Sequence, residues 1–420
     1  MNYLFSHFLI FFYVYSVKFI FLPLGTRVIL GVMGFLLVSF NLLRRYSNLS
    51  VELKYLKYLF SLILLIPISI LSNVINSTDD YEFIRYVVSI IVINFAAYFV
   101  VHVLIKLNPK LNFENLAYIV VNAVLFQSLL AMLMFLSLPF KDFIYSLQSI
   151  SVGDIEKLNK VNEFRLIGFG SYFFGAGVIH GFALILIAAC LVNGNSISKK
   201  FNLLFALKFV IVLSVGMMMA RTTIIGAFLA FALLLTPQKP FSCIFNFDLF
   251  RTKFKFVFYS LALPLLLMIL LYITIPQIGN LFEPLFYFVF EAFINYFESN
   301  SFESESTNHL MKMYVFPDEF STWMIGDGLW TAINGVDYYM GSDVGYVRLL
   351  FYFGILGTFI YLITHFYLIK SVFGQISNLL FLIFSLYFIA LNLKGFTDLT
   401  PLVLIFWCLM VLKKKLVTHA

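Results

Sequence analysis

The sequence predicts an all-α, polytopic integral membrane protein, and three observations support this fold class. Hydrophobic residues make up 62% of the 420 positions and charged residues only 12%, whereas soluble domains have about 45–50% and about 25%. Apolar runs long enough for membrane helices recur along the whole chain. Lysine and arginine gather in alternate loops, as the topology of membrane proteins requires. A soluble enzyme with a single anchor is therefore excluded.

Twelve segments have the composition of a membrane helix, which needs about 20 apolar residues, with a range of roughly 17–25. Several of them are short, and two pairs are almost continuous, so the sequence predicts ten to twelve spans within a single membrane domain, 1–420. The predicted spans are 4–22, 26–43, 59–76, 84–105, 115–138, 168–193, 202–219, 222–236, 256–276, 345–369, 377–393 and 398–412.

The distribution of basic residues predicts the orientation, because loops rich in lysine and arginine stay in the cytoplasm. With the N-terminus inside, the inner loops and the C-terminal tail hold 16 of the 28 basic residues and 3 of the 21 acidic ones. Both termini are then cytoplasmic. The formal net charge of +7 reflects this topology and does not indicate a nucleic-acid partner.

Two polar segments on the predicted outer face, 139–167 and 277–344, are too long to be simple turns. They predict that the protein functions on its outer face. In the second segment, Glu291, Asn295 and Glu298 share one face of a predicted helix, and Phe and Tyr fill the rest. This pattern fits a helix lying in the membrane interface, and it fits equally well a loop helix packed against the bundle.

Charged side chains at membrane depth are functional candidates by default, because each costs about 2.5–3.5 kcal/mol to insert. Five such residues are predicted to lie near the outer surface, against the positive-inside trend. Snorkelling to the membrane interface or an ordinary ion pair would explain any one of them, most readily Arg85 and Lys394. Clustered guanidinium groups are typical of a phosphate or pyrophosphate site, because each is planar, permanently charged and able to hold two oxygens. The five are Arg85, Arg165, Arg221, Arg348 and Lys394.

Asp343 is a further candidate, because it is followed closely by Tyr346 and Arg348 at the entry to the tenth predicted span. It could serve as an acid, a base or an orienting group. His309 is the only histidine in the predicted outer loops, and a lone histidine is more often structural than catalytic. No pair of histidines has the spacing of metal ligands, so no metal site is predicted.

Glycine-containing motifs have simpler interpretations. Gly177 and Gly181 form a small-xxx-small pattern that favours close helix packing over a substrate groove. Asp327 lies between two glycines in MIGDGLW, a composition that is typical of a turn.

Three motifs together resemble a known family. An arginine precedes a glycine-rich span entry in FRLIGFGSYF, an Arg-Thr pair lies at a helix boundary in ARTTIIG, and the long loop closes through MIGDGLW into SDVGYVRLLFYFGILG. In these motifs, and in the architecture of nearly the whole chain, the sequence resembles the Wzy-type O-antigen polymerases of Gram-negative bacteria. The related O-antigen ligases share the plan but usually have a histidine where Asp343 precedes Tyr346. This difference favours a polymerase, although His309 lies upstream in the same loop.

The resemblance implies a glycosyltransferase with a GT-C-type fold in the bacterial inner membrane, with its active face in the periplasm. Its donor and acceptor would be undecaprenyl-pyrophosphate-linked oligosaccharide repeat units, joined by inverting transfer without a metal or a cofactor. Arg165, Arg221 and Arg348 would bind the pyrophosphate, and Asp343 would orient or deprotonate the acceptor. The remaining candidates for contacts with pyrophosphate or glycan are Arg85, Lys394, Tyr346 and His309.

Two questions stay open at this point. The resemblance does not decide whether a polysaccharide chain-length regulator is a further partner. The competing class is a lipid-linked oligosaccharide flippase or another transporter. Transporters tend to carry their charges near the midplane and often contain internal repeats, and the sequence has neither a convincing repeat nor candidate charges at that depth.

Overall fold

The structure, a computed structural model, describes residues 2–44, 53–150, 158, 160–161, 163–193, 199–236, 255, 258–259, 262, 266, 276–301, 303–332 and 337–418. Within these residues the regular elements are helices, accompanied by three isolated β-bridges. The α-helices are α1 Asn2–Tyr15, α2 Thr26–Arg44, α3 Leu53–Ile63, α4 Leu65–Asn76, α5 Glu82–Leu107, α6 Phe113–Leu136, α7 Leu138–Leu147, α8 Phe173–Asn193, α9 Lys199–Met219, α10 Thr223–Leu235, α11 Pro276–Ser299, α12 Glu305–Lys312, α13 Phe320–Ile325, α14 Gly345–Val372, α15 Asn378–Asn392 and α16 Thr400–Thr418.

The protein is a helical membrane protein. Among the described residues, six helical stretches are long and apolar enough to cross a membrane, and five further apolar helices are shorter. The outer surface of α2 is rich in large apolar side chains, which water would penalise and lipid would accept. The count of twelve spans stays a prediction, because the predicted span 256–276 lies almost entirely outside the described residues. The exposed side chains of α2 are Val28, Val32, Met33, Phe35, Leu36, Phe40, Leu42 and Leu43.

Three predicted spans differ from the observed helices for local reasons. α1 ends at Tyr15, because the backbone of Ser16 turns into the left-handed region with φ +43°. The third predicted span is two helices, and Pro67 has no N–H to donate to the carbonyl of Ile63, where α3 ends. α8 begins at Phe173, because the glycine-rich residues before it form a tight turn.

The chain divides into two compact units, each assembled from two separate stretches. Unit 1 comprises Met1–Thr26 and Asn112–Glu303. It is built around α8, which contacts α6, α9 and α10. Every residue from 182 to 189 is buried, as expected for a helix that is apolar on all sides. A Cβ on Gly226 of α10 would overlap the backbone of Gly181. The prediction that Gly181 serves close helix packing is therefore confirmed.

Helix α11 gives unit 1 a packed aromatic face. Its Leu285 and Phe288 are buried, and Leu285 lies in a cluster with Met218 and Met219 from the end of α9. The side chain of Phe297 remains 83% exposed. The alternative of a helix packed on the bundle is thus confirmed for one face of α11, and contact of the other face with lipid stays a prediction.

Unit 2 comprises Arg27–Leu111 and Ser304–Ala420 and has α14 as its central helix. α14 contacts α3, α4, α13, α15 and α16. In the same unit α2 crosses α5 so closely that a Cβ on Gly34 would overlap the carbonyl group of Phe95. Small residues therefore set helix separation in this unit too. The prediction of a single membrane domain stays a prediction.

A break in α14 positions the loop that carries the candidate residues of unit 2. Gly354 has φ +65° and ψ −166°, a conformation that is essentially restricted to glycine. The break frees two helix carbonyls. That of Phe351 accepts a hydrogen bond from the backbone N–H of Asp327 at 2.6 Å, and that of Tyr352 accepts one from Gly328 at 3.1 Å. Asp327 thus lies in the loop that follows α13, and this loop closes directly onto the break.

Candidate functional site

In unit 1, two of the predicted arginines meet at one aromatic ring. The guanidinium carbon of Arg165 lies 4.3 Å from the ring centroid of Phe288, and that of Arg221 lies 4.5 Å from the same centroid. Both distances are within the range of favourable cation–π contacts, which extends to about 6 Å. Arg165 and Arg221 therefore lie side by side at this ring, and the predicted grouping of both with Arg348 stays a prediction. We call these two residues the arginine pair.

The local fold explains how the arginine pair is assembled. Arg221 occupies the short turn between the end of α9 and the start of α10. The segment that carries Arg165 is tied to the same helix end, because the N–H of Leu166 donates to the carbonyl oxygen of Met218 at 3.0 Å. α11 brings Phe288 to this position by burying Leu285 against the end of α9.

The arginine pair carries more positive charge than its surroundings compensate. Nη1 of Arg221 donates to Oε2 of Glu291 at 2.6 Å, and the two side chains are 17% and 13% exposed. Nε of Arg165 is buried and has no hydrogen-bond partner among the described residues. Burial first and the Arg221 charge second lower the pKa of Arg165, while Glu291 raises it. One carboxylate thus faces two guanidinium groups, a balance that favours an anion.

In unit 2, Asp343 and Arg348 form a second charged cluster. Nη1 of Arg348 donates to Oδ1 of Asp343 at 3.4 Å, and Nη2 donates to the carbonyl oxygen of Trp330 at 3.4 Å. The guanidinium carbon lies 3.9 Å from the Trp330 ring and 4.5 Å from the Tyr338 ring. Arg348 is only 8% exposed, whereas Asp343 is 33% exposed. The carboxylate is therefore the accessible part of the cluster.

The environment of Asp343 affects its protonation. Burial raises the pKa of this carboxyl above its ordinary value of 3.8, and the Arg348 charge and hydrogen bond lower it without cancelling the effect of burial. Burial and the Asp343 charge raise the pKa of the neighbouring Tyr338 hydroxyl. A carboxylate with a raised pKa is a better proton acceptor than an ordinary aspartate, which suits a general base.

Sequence reasoning missed two residues, Asp80 and Trp330. The Trp330 ring packs against the Arg348 guanidinium group, and Asp80 holds the backbone of Trp330 in place. Oδ2 of Asp80 accepts hydrogen bonds from the backbone N–H groups of Trp330 at 2.7 Å and Thr331 at 3.1 Å. Its Oδ1 accepts the N–H of Glu82 at 3.0 Å, at the start of α5. An aspartate just before a helix is a typical capping residue, and that signal was present in STDDYEF. Its reach to Trp330 had no sequence signal.

The remaining predicted site residues also belong to unit 2. Arg85 is 74% exposed and pairs with Glu82 on the same helix. The hydroxyl of Tyr346 donates to the carbonyl oxygen of Ile389 at 3.1 Å, which joins α14 to α15. Lys394 is half-buried in the loop between α15 and α16, and His309 is exposed on α12. The roles predicted for these four residues stay predictions.

A buried histidine–aspartate pair was also missed. Nε2 of His365 lies 3.2 Å from Oδ1 of Asp398, and the side chains are 3% and 15% exposed. The same carboxylate oxygen accepts the N–H of Thr400 at 2.7 Å, at the start of α16. Hydrogen bonds from His365 and Thr400 outweigh the opposing effect of burial and lower the pKa of Asp398. The capping pattern TDLTP gave a signal for Asp398, but none for its contact with His365.

Lys208 is a charged residue within a predicted span that sequence reasoning passed over. Its Nζ donates to Oδ1 of Asn122 at 2.6 Å and lies 3.6 Å from the ring centroid of Tyr118. The ammonium group is thus satisfied inside unit 1, as buried charges in membranes generally are. Among the described residues, no group of three His, Cys, Asp or Glu side chains is arranged to hold a metal ion.

Comparisons with protein families, with curated proteins and with solved structures find no match to this chain.

Proposed function

We propose that the protein is a polysaccharide polymerase that joins undecaprenyl-pyrophosphate-linked oligosaccharide repeat units on the periplasmic face of the bacterial inner membrane. The motifs that resemble O-antigen polymerases support this proposal, since they supply both arginines of unit 1 and the Asp343–Arg348 cluster of unit 2. The observation that carries the proposal is the arginine pair, where two guanidinium groups share the Phe288 ring and face a single carboxylate.

The arginine pair is suited to a pyrophosphate leaving group. Phosphate oxygens accept two parallel hydrogen bonds from one guanidinium group, and the arginine charge is permanent. Burial strengthens the interaction, because the groups are partly removed from water. Charge that develops on the pyrophosphate as its bond to the sugar breaks would be stabilised by groups already in place. The proposal therefore assigns Arg165 and Arg221 to the donor pyrophosphate.

The transfer step balances with the groups assigned to it. A hydroxyl oxygen of the acceptor sugar forms a bond to the anomeric carbon of the donor, and the bond from that carbon to the pyrophosphate oxygen breaks. The hydroxyl proton passes to a general base, the role predicted for Asp343, and undecaprenyl pyrophosphate leaves with the bonding electron pair. Attack opposite to the leaving group inverts the anomeric configuration. Arg348 is assigned to hold Asp343 in position, because its guanidinium group is already engaged with that carboxylate.

The first experiment is a gel of lipopolysaccharide from a strain that lacks this gene, with and without a plasmid copy. A polymerase predicts lipid A–core with a single repeat unit in the mutant and a restored ladder on complementation. Core without any repeat unit would contradict the proposal. Polymer accumulating on the lipid carrier outside would then indicate a ligase, and single units accumulating inside would indicate a flippase.

The second experiment tests the arginine pair in the complemented strain. Arg221→Ala should abolish the ladder while the protein remains at wild-type abundance in the membrane fraction. Arg221→Lys keeps the charge but loses the two-pronged geometry, so a weak ladder of short chains is expected. A normal ladder from a stable Arg221→Ala protein would remove the pyrophosphate role from this residue.

A further inference from the structure

Unit 1 contains a cavity that the proposed transfer chemistry does not use. It has a volume of about 430 Å³ and lies beside the end of α1, the end of α7 and the start of α8. Its floor is held by backbone pairing, because Phe19 and Gln148 form an antiparallel bridge and the N–H of Ser149 donates to the carbonyl oxygen of Lys18 at 2.9 Å. The cavity is therefore a built feature of the unit.

The lining combines aromatic rings with neutral polar groups. Gln148 is buried, and its Oε1 accepts a hydrogen bond from the hydroxyl of Tyr172 at 3.1 Å. The hydroxyl groups of Ser16 and Ser149 also line the cavity. The rings of Tyr172 and Phe173 supply apolar surface. Such a mixture of flat apolar surface with a few convergent polar groups is typical of a small-ligand site.

The charges in the lining restrict the class of ligand. Lys18 lies exposed at the rim, and the described residues that line the cavity include no carboxylate. The amide and hydroxyl groups can both donate and accept hydrogen bonds. A ligand rich in hydroxyl groups, with an apolar face for the rings, matches this lining. An acyl chain would cover the polar atoms of Gln148, Ser16 and Ser149 with apolar surface and offer them no hydrogen bond, at a cost.

Strained backbone surrounds the same cavity. Ser16 has φ +43°, Phe173 has φ +48°, and Gly170 has φ +74°. Left-handed conformations at residues other than glycine cost about 1–3 kcal/mol each and persist where the surrounding structure enforces them. Two such residues lining one cavity indicate that its shape is maintained against a local cost.

The cavity is linked to the arginine pair by a short segment of chain. Arg165 stands at one end of this segment, and Gly170 and Tyr172 line the cavity at the other. Gly170 follows Arg165 by five positions, so their Cα atoms lie at most about 18 Å apart. The segment is fixed at both ends, by the bond from Leu166 to Met218 and by the bond from Tyr172 to Gln148. One lipid-linked oligosaccharide could thus occupy both places.

From this combination we propose that the cavity binds the saccharide portion of a lipid-linked repeat unit whose pyrophosphate is held by the arginine pair. The inference rests on the proposed function for the identity of the glycan. The apolar face of a sugar ring would lie against Tyr172 and Phe173. Its hydroxyl groups would bond to Gln148, Ser16 and Ser149.

Binding is tested directly with the full-length protein purified in detergent. The probe is the repeat-unit oligosaccharide released from the producing strain's own surface polysaccharide, without lipid or phosphate, and the readout is saturation-transfer NMR. Ser149→Trp should fill the cavity mouth and weaken binding by at least about ten-fold, a loss of about 1.4 kcal/mol. The matched control is Ser146→Trp, since Ser146 is also exposed on this stretch but does not line the cavity. Equal binding by both variants, or no binding by the wild type, would overturn the proposal.

A second measurement avoids the risk that Ser149→Trp misfolds. Lys18 at the rim and Lys312 on α12 are both exposed, so both should react with an amine-methylating reagent in the wild-type protein. The oligosaccharide should slow methylation of Lys18 several-fold and leave Lys312 unchanged, as read by mass spectrometry. Unchanged methylation of Lys18 at saturating oligosaccharide would reject the cavity as the binding site.

The gel separates failure of this inference from failure of the proposed function. A gene-dependent ladder with wild-type chain lengths in the Ser149→Trp strain, together with unchanged oligosaccharide binding, would leave the polymerase standing and remove the cavity from it. Absence of any gene-dependent ladder would remove the polymerase. In that case, binding lost in Ser149→Trp and kept in Ser146→Trp would still establish a saccharide site.

Discussion

Arg221 and Glu291 are joined by a hydrogen bond of 2.6 Å between Nη1 and Oε2, although 70 residues separate them in the chain. The same carboxylate raises the pKa of Arg165, so it acts on both members of the arginine pair. It offsets part of the repulsion between two guanidinium groups that lie against the same Phe288 ring. The charge balance of this site therefore depends on one residue of α11.

Glu291→Gln should destabilise the protein by about 2 kcal/mol, because it weakens the hydrogen bond to Arg221 and removes the negative charge beside two guanidinium groups. The thermal unfolding midpoint of the purified protein in detergent measures this loss. Glu298→Gln is the matched control, since Glu298 is exposed on the same helix. Inorganic pyrophosphate should raise the midpoint of Glu291→Gln more than that of the wild type. A variant indifferent to pyrophosphate would argue against an anion site.

Arg85→Ala should leave the polysaccharide ladder within two-fold of wild type. Arg85 is 74% exposed and, within the described residues, pairs with Glu82 on its own helix, and exposed pairs of this kind contribute about 0–1 kcal/mol. Densitometry of the ladder, normalised to protein in the membrane fraction, measures the effect. Loss of polymer while the variant protein stays at wild-type abundance in the membrane would indicate that Arg85 takes part in substrate binding, as predicted from the sequence.

Gly354→Ala should lower the stability of the protein by about 3 kcal/mol or more. The substitution forces a side chain into a backbone conformation that glycine alone adopts readily, and its Cβ would overlap the backbone of Met324. Gly341→Ala separates the two effects, because Gly341 has φ +64° but nothing within 4 Å of its Cβ position. That control should lose only about 1 kcal/mol. Thermal unfolding of both variants decides whether the contact or the dihedral angle dominates.

As the pH rises, the wild-type protein should become less stable relative to the Asp343→Asn variant. Burial raises the pKa of Asp343 above its ordinary value of 3.8. Between pH 3.8 and this raised pKa, the folded state therefore binds more protons than the unfolded state. Stability then falls with increasing pH across that interval. The difference in unfolding midpoint between wild type and Asp343→Asn, followed upwards from pH 3.5, should change in this direction. A flat difference would mean that Arg348 fully compensates the burial.

Asp398 should show the opposite dependence. Hydrogen bonds from His365 and Thr400 lower its pKa below the ordinary value of 3.8 despite burial. The ionised Asp398 carboxylate therefore contributes its full stabilisation above pH 3.8, and this stabilisation is lost as the pH falls through the lowered pKa. Asp398→Asn should lower the unfolding midpoint by several degrees at pH 7, and the gap to wild type should narrow on acidification. A gap that widened in acid would reverse the assignment of the cause.

The positions of most helices could be predicted from the sequence, because the length and apolarity of a membrane span are local properties. The predicted spans 26–43, 84–105 and 115–138 each match a helix to within about two residues at either end. The break before α4 and the kink at Gly354 were not predicted, because each depends on the satisfaction of particular backbone groups. Pro67 and Gly354 were visible as residues, but their consequences required the surrounding structure.

The sequence by itself determined that this is a helical membrane protein, and it singled out several arginines and one aspartate as candidate site residues. Composition and the cost of burying a charge can both be assessed without knowing which residues are close in space. Only the tertiary structure decided which of them meet. It placed Arg165 and Arg221 at one ring in unit 1, bound Arg348 to Asp343 in unit 2, and left Arg85 exposed. The physical reason is distance along the chain. The partners that matter, such as Glu291 for Arg221 or Asp80 for Trp330, are 70 and 250 residues away, and no local pattern encodes contacts of that range.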